Sequence, residues 1–190
     1  MESTIDFNSY KIRHKLLSKS GTSAQLKATW YNNEKVILKK WSNKLKHVYL
    51  NEKNIYLRLK NEKYVPNIIK YDDKTLCIII EDVGDSLRQI VRSNQKHLLP
   101  KNLIFRLEYI MKQLYLKYGL IHGDITFRNI CFKNNQLYLI DFDKAKEIDI
   151  FSFDYNSISK KSGLFKNISL LTNYNYYYYY MISELNNKND

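Results

Sequence analysis

Residues 122–143 read HGDITFRNICFKNNQLYLIDFD, and their pattern decides how the rest of the chain is read. Short apolar runs alternate with polar breaks. Leu120-Ile121 leads into His122-Gly123-Asp124, Ile130-Cys131-Phe132 follows Asn129, and Leu137 to Ile140 leads into Asp141-Phe142-Asp143. Runs of this length bounded by turn residues predict strands, and Asn134-Asn135-Gln136 predicts the turn of a hairpin between the last two. Asp124, Asn129 and Asp141 are thereby expected at the ends of rigid elements. Two carboxylates and an amide held in that way can orient a hydroxyl and hold a hard cation.

Upstream of this stretch the chain changes character once. KIRHKLLSKS and AQLKATWY read as two strands around a tight connection at residues 20–23, and Asn32-Asn33-Glu34 turns the chain into a third strand ending at Lys39-Lys40-Trp41. Three antiparallel strands in meander order are expected there. Leu45 to Lys60 reads as a helix, with Val48, Ile55 and Leu59 on one stripe and Glu52 on the same face. A carboxylate on an apolar stripe is costly unless a cation meets it. Pro66 ends that segment. Asn67 to Tyr71 and Leu76 to Ile80 read as further strands, the second almost wholly apolar and so central. Glu81-Asp82-Val83-Gly84-Asp85 breaks the pattern, after which a short helix from Ser86 and a long amphipathic one over Lys101–Tyr118 are expected. Leu103, Leu107, Ile110, Met111 and Leu114 share a face of the long helix, between Pro100 and Gly119.

Composition sets the bounds. At 190 residues, with 44% apolar and 14% aromatic residues, the chain suits one domain of two small lobes, about 1–83 and 84–190. No apolar run approaches the roughly 18 residues that cross a bilayer, and the N-terminus lacks a signal-peptide pattern. Cys77 and Cys131 lie inside strand-like runs and read as two buried thiols, so a reducing, cytoplasmic (or nuclear) location is expected. The net charge is +12, from 31 Lys+Arg against 19 Asp+Glu. That excess attracts polyanions and admits nucleic-acid contact, but a Lys-, Asn-, Ile- and Tyr-rich composition produces it equally well.

Residue type and order assign the tasks of phosphoryl transfer, which needs phosphates held, metal charge placed and a nucleophile aimed. Lys39, at the end of an apolar strand, would project a cation toward phosphates, and Glu52 would hold it. Asp124 would orient an acceptor hydroxyl. Asn129 and Asp141 offer hard oxygens for Mg²⁺. His122 reads as a structural histidine packed under the loop. Each short motif alone would mean little; their order and the five-residue step from Asp124 to Asn129 carry the signal.

With those residues in place, 122–129 resembles the protein-kinase catalytic loop H-R-D-L-x-x-x-x-N, Asp141-Phe142-Asp143 resembles the D-F-G metal motif, and Val36 to Lys39 resembles V-A-I-K. The resemblance implies an α+β, two-lobed protein-kinase-like fold, with an antiparallel sheet in the N-lobe and a small, truncated, mainly helical C-lobe. It also implies ATP in the cleft, with Gly21, Thr22 and Ser23 over its phosphates and the hinge residues Glu81 and Val83 at its base. Within that family the H-G-D-x-T…N loop is similar to the kinase subunit of the KEOPS complex, and more distantly to RIO, lipopolysaccharide and aminoglycoside kinases. The implied activity is an ATP- and Mg²⁺-dependent, atypical serine/threonine protein kinase acting on a protein acceptor, with a complex partner admitted.

The departures are specific. Only Gly21 remains of the glycine loop. Gly123 stands where the family has an Arg that receives an activation-loop phosphate. Thr126 stands where serine/threonine kinases carry a Lys on the transferred phosphate, and Asp143 replaces the glycine of D-F-G. Asp154 to Ser157 resembles the helix start that braces the catalytic loop, which would leave almost no activation segment. Two other functions are weighed: a kinase of sugars or glycolipids, and a non-catalytic partner- or RNA-binding module. Tyr176 to Tyr180 are expected on a final helix rather than as a base-stacking surface.

Overall fold

A computed structural model describes Ile5, Asp6 and residues 24–147. The first expected strand, the glycine-loop residues Gly21, Thr22 and Ser23, the Asp154 brace and the tyrosine run lie outside the described residues.

Strands β1 (Gln25–Tyr31) and β2 (Glu34–Lys40) form an antiparallel hairpin. Its turn is Asn32-Asn33, both at positive φ (49° and 65°), the left-handed pair that a tight hairpin demands and that asparagine tolerates best among non-glycine residues. Helix α1 (Lys46–Arg58) follows, then β3 (Ile68–Asp72) and β4 (Cys77–Glu81). The sheet runs β1-β2-β4-β3, so the apolar β4 is internal, as its composition predicts. Leu76, expected to open that strand, instead sits before it at φ 52°.

Strand alternation divides this sheet into two faces. Val36, Leu38, Cys77 and Ile79 pack together with Ile5 on one side. Residues paired across the ladders lie on the same face, so Lys39 opposite Ile78 and Ile37 opposite Ile80 define the other. That second face meets α1 and the main core. Here α1 buries Tyr49, Glu52, Lys53, Ile55 and Tyr56, followed by the buried C-cap Leu59, whereas the expected stripe residue Val48 is half-buried at the margin of the core. The correction comes from Tyr49 and Tyr56, which lie three residues before and four after Glu52 and turn the buried stripe toward their own side.

After β5 (Asp85–Ser86), helix α2 (Leu87–Arg92) starts with a capping box. The Gln89 amide N–H donates to Ser86 Oγ at 3.3 Å, and the Ser86 amide N–H donates to Gln89 Oε1 at 2.9 Å. Helix α3 (Leu103–Tyr118) buries Leu103, Leu107, Ile110 and Leu114, with Met111 half-buried at the margin. Gly119 ends it at φ 61°, its N–H bonded to the Tyr115 carbonyl at 2.9 Å.

Three short ladders then build the loops of interest. Strands β7 (Ile130–Lys133) and β8 (Gln136–Leu139) form a hairpin turned at Asn134-Asn135, again both at positive φ. Gln136, expected in the turn, pairs with Lys133 instead. β5 pairs with β7, and β6 (Leu120–Ile121) pairs antiparallel with β9 (Lys146–Glu147). Residues 84–147 thus hold two α-helices and five short strands, and the described residues as a whole form a mixed α+β architecture with antiparallel sheets.

Candidate active site

Both loops of the 122–143 stretch are fixed at their roots. The β6–β9 ladder pairs Ile121 with Lys146, so its extension sets His122 against Ala145 and Gly123 against Lys144. At the open end of the β7–β8 hairpin, the Ile140 N–H donates to the Asn129 carbonyl at 3.0 Å. That bond makes Asn129 and Asp141 neighbours, although they are distant along the chain. Asn129 is buried; its amide nitrogen donates to the Asp124 carbonyl at 3.0 Å, leaving its amide oxygen for another partner.

His122 is fully buried. Its Nε2 lies 3.0 Å from the Ile140 carbonyl oxygen, and its ring tilts over Phe142 at a centroid distance of 4.7 Å. Burial pulls its pKa down to about 4, against the pull of the Ile140 carbonyl and of Asp141 and Asp124. It is therefore neutral at pH 7 and serves as a packing and hydrogen-bonding post. Phe142 continues the stack edge-on to Tyr56 of α1 at 5.4 Å.

Helix α1 meets the loop around Asp141 through Asn51 and Tyr56 directly and through Glu52 by way of Lys39. Asn51 Nδ2 donates to the Ala145 carbonyl at 3.1 Å, and the Tyr56 hydroxyl accepts from the Asp141 N–H at 3.4 Å. Glu52 receives Lys39. The Lys39 Nζ lies 2.5 Å from Glu52 Oε1 and 2.9 Å from Asp141 Oδ1, joining residues 102 positions apart. Burial alone would lower the Lys39 pKa, but the Glu52 and Asp141 carboxylates outweigh it and hold the ammonium charged. Burial pushes Glu52 up to about 7 in spite of Lys39. At Asp141, 42% exposed at the side chain, burial also opposes ionisation, yet Lys39 keeps its carboxyl below the usual range.

Asp124 accepts from Lys144 Nζ at 2.9 Å, and the Lys144 side chain is 60% exposed. Gly123 explains how that contact is reached. At φ +79° its backbone passes so close to Lys144 that a Cβ would stand 2.4 Å from the Lys144 carbonyl oxygen. An Arg at this position, as in signalling kinases, has no room.

The expected hinge lies at the far end of β4. Val83 is buried, and Glu81 falls opposite Val36, on the sheet face away from Lys39. Its carboxylate accepts from the Asn67 amide nitrogen at 3.1 Å. Any contact of Glu81 with a ligand on the Lys39 face would come from its backbone. Sequence reasoning missed Asn51, Tyr56 and Lys144; only the Tyr49-Glu52-Tyr56 spacing carries a signal, since the other two act across long-range contacts.

Residues 8–151 match the RIO domain. The chain belongs to the RIO family. RIO proteins are atypical serine/threonine kinases, ATP-dependent transferases with a kinase-like fold, and this chain is a member of that enzyme class. Compared with curated proteins, the sequence matches none. No helix among the described residues is long and apolar enough to cross a membrane.

The family uses Mg²⁺ with ATP, and the acidic end of this RIO site fits such a cation. Asp143 Oδ1 is buried without a hydrogen-bond partner, and burial together with repulsion from Asp141 pushes its carboxyl pKa up. Two neighbouring carboxylates and the Asn129 amide oxygen are hard donors that a divalent cation would satisfy. Among the described residues, no group of three or more His, Cys, Asp or Glu side chains could hold a metal unaided. Mg²⁺ characteristically draws the rest of its shell from water and substrate phosphate.

Proposed function

We propose that this RIO protein is an ATP- and Mg²⁺-dependent protein kinase of the serine/threonine type, with Lys39, Glu52, Asp124, Asn129 and Asp141 as its working residues. The observation that carries the reading is the junction of Lys39, Glu52 and Asp141. Three charged side chains from β2, α1 and the loop after β8 meet at one point, two of them buried, and no requirement of the sheet or helix explains that cost. Lys39 would neutralise phosphate oxygens, and Glu52 keeps it extended. The half-buried Leu26, Ala28 and Ile37 share its face of the sheet and offer an apolar surface for the nucleotide base. Asp141, Asn129 and Asp143 would hold Mg²⁺, which supplies charge stabilisation to the transferring phosphoryl group. Asp124 would take the proton of the acceptor hydroxyl.

The H-G-D-x-T…N loop supports a finer likeness to the KEOPS kinase subunit, in which case a protein partner stimulates ATP hydrolysis. Asp143 favours a second reading, since D-F-D occurs in the glycan- and aminoglycoside-kinase resemblance. Acceptor profiling with labelled ATP separates the two: label confined to protein argues against a small acceptor. The primary test is Mg²⁺-dependent ATP turnover in wild type, Asp141→Ala and Asp124→Ala. Asp141→Ala is expected to lose Mg²⁺-dependent nucleotide binding. Asp124→Ala is expected to bind ATP normally and transfer about 10²–10⁴-fold more slowly, the usual worth of a positioned base. Equal turnover in all three proteins would refute the assignment.

A further inference from the structure

We infer that Lys144 is a catalytic cation of this site, supplying from the loop after Asp141 the positive charge on the transferred phosphoryl group that the catalytic loop lacks. The inference rests on the kinase reading above. Within residues 122–129 the only cationic side chain is Arg128; Thr126 stands at the position next but one to Asp124, and it is neutral. Phosphoryl transfer spreads negative charge over the equatorial oxygens between the entering and leaving atoms, so a cation beside the base is worth more than one elsewhere. Lys144 occupies that place. Its Nζ is 2.9 Å from the Asp124 carboxylate, and the charges of Asp143 and Asp141 also act on it.

Three features separate this contact from an ordinary surface ion pair. First, Asp124 uses one of the three ammonium N–H donors, and the other two meet no protein acceptor among the described residues. Second, the side chain is 60% exposed while Asp124 is 16% exposed, so the ammonium caps the carboxylate from its open side, where an acceptor must enter. Third, its backbone position is built in. The β6–β9 register sets Lys144 opposite Gly123, and Gly123 is the only residue type whose missing Cβ admits the Lys144 carbonyl at that distance. The glycine of H-G-D is thus coupled physically to the lysine after D-F-D.

In the step inferred, the acceptor oxygen forms a bond to the γ-phosphorus while the bond from phosphorus to the β–γ bridging oxygen breaks, leaving ADP. The hydroxyl proton passes to Asp124. Lys144 keeps one N–H on Asp124 and turns the others to the equatorial oxygens, so its contribution is largest when their charge is greatest.

The test compares full-length wild type, Lys144→Met and Lys144→Arg for kcat and KM of Mg²⁺-dependent ATP turnover, with direct binding of ATP measured alongside. Lys144→Met is expected to lower kcat by about 10²-fold, the range for removing one preorganised donor, with ATP affinity within about twofold of wild type. Lys144→Arg, which retains the charge, should recover a large part of kcat. Unchanged or increased turnover in Lys144→Met would overturn the inference, the increase marking Lys144 as a plug over Asp124. A loss that lies in ATP affinity, or that is equal in the Met and Arg variants, would overturn it as well. A wild type that turns over no ATP would overturn the kinase reading and this inference with it, whereas an active wild type beside an equally active Lys144→Met overturns this inference alone.

Discussion

Lys39 and Lys144 each bind an aspartate of the same site, at the same distance of 2.9 Å, yet their surroundings have little else in common. Lys39 is 5% exposed, shares its ammonium between Glu52 and Asp141, and lies 5.3 Å from the Trp41 ring centroid. Lys144 is 60% exposed and makes one bond among the described residues. The first pair ties a strand to a helix and a loop, so fold and site depend on it together. The second joins two adjacent loops by a single solvent-accessible ion pair. A kinase needs both kinds. On the reading proposed above, Lys39 would serve a preorganised nucleotide side and Lys144 a solvent-open acceptor side.

The largest expected effect follows from breaking the buried member. Lys39→Met leaves Glu52 fully buried and uncompensated, and removal of one partner from such a pair costs about 3–5 kcal/mol. Glu52 would respond by staying protonated to higher pH. Its folded pKa then lies further above the unfolded one, so the variant should lose stability as pH rises toward and through that value. Urea denaturation at pH 6 and pH 8 checks both size and sign; a variant as stable as wild type at pH 8 would remove Glu52 from the structural core of the site.

His122 tests the same contrast by acid rather than by mutation. Its pKa falls from an ordinary value near 6.5 to about 4 in the folded protein. Between those values the unfolded chain binds the extra proton, so stability is full above about pH 6.5 and declines as pH falls toward 4. By linkage the loss at pH 5 amounts to about 2 kcal/mol relative to pH 7. The His122→Asn protein should be less stable at pH 7 and should lack this component of the decline. Denaturant midpoints at pH 5 and pH 7 in both proteins measure it.

How much of this was legible beforehand depended on how local the cause is. Turns at Asn32-Asn33 and Asn134-Asn135, the buried face of α3 and its stop at Gly119 follow from backbone preferences of a few adjacent residues, and they could be read directly. So could the oddity of Glu52, because a carboxylate on an apolar stripe demands a partner somewhere. Tyr49 and Tyr56 were harder. In a chain with 17 tyrosines one more carries little information, and their burial arises from Trp41 and Phe142, which arrive from other elements. Lys144 was not legible at all. Its place over Asp124 depends on the pairing of two-residue strands, and nothing in the local sequence of β6 or β9 announces that register.

The smallest expected effect concerns stability at that same contact, and it is the sharpest check on the comparison. Exposed ion pairs contribute about 0.2–1 kcal/mol, because solvent screens the charges and both side chains lose freedom in pairing. Lys144→Met removes such a pair while its hydrocarbon stem is largely kept, so its unfolding midpoint should lie within about 0.5 kcal/mol of wild type. The prediction is informative because it is small. Preserved stability beside a large fall in turnover would mean that Lys144 is held for chemistry. A loss of several kcal/mol would mean that the Gly123–Lys144 crossing stabilises the loops as firmly as the buried junction does, and the distinction between the two sides would collapse.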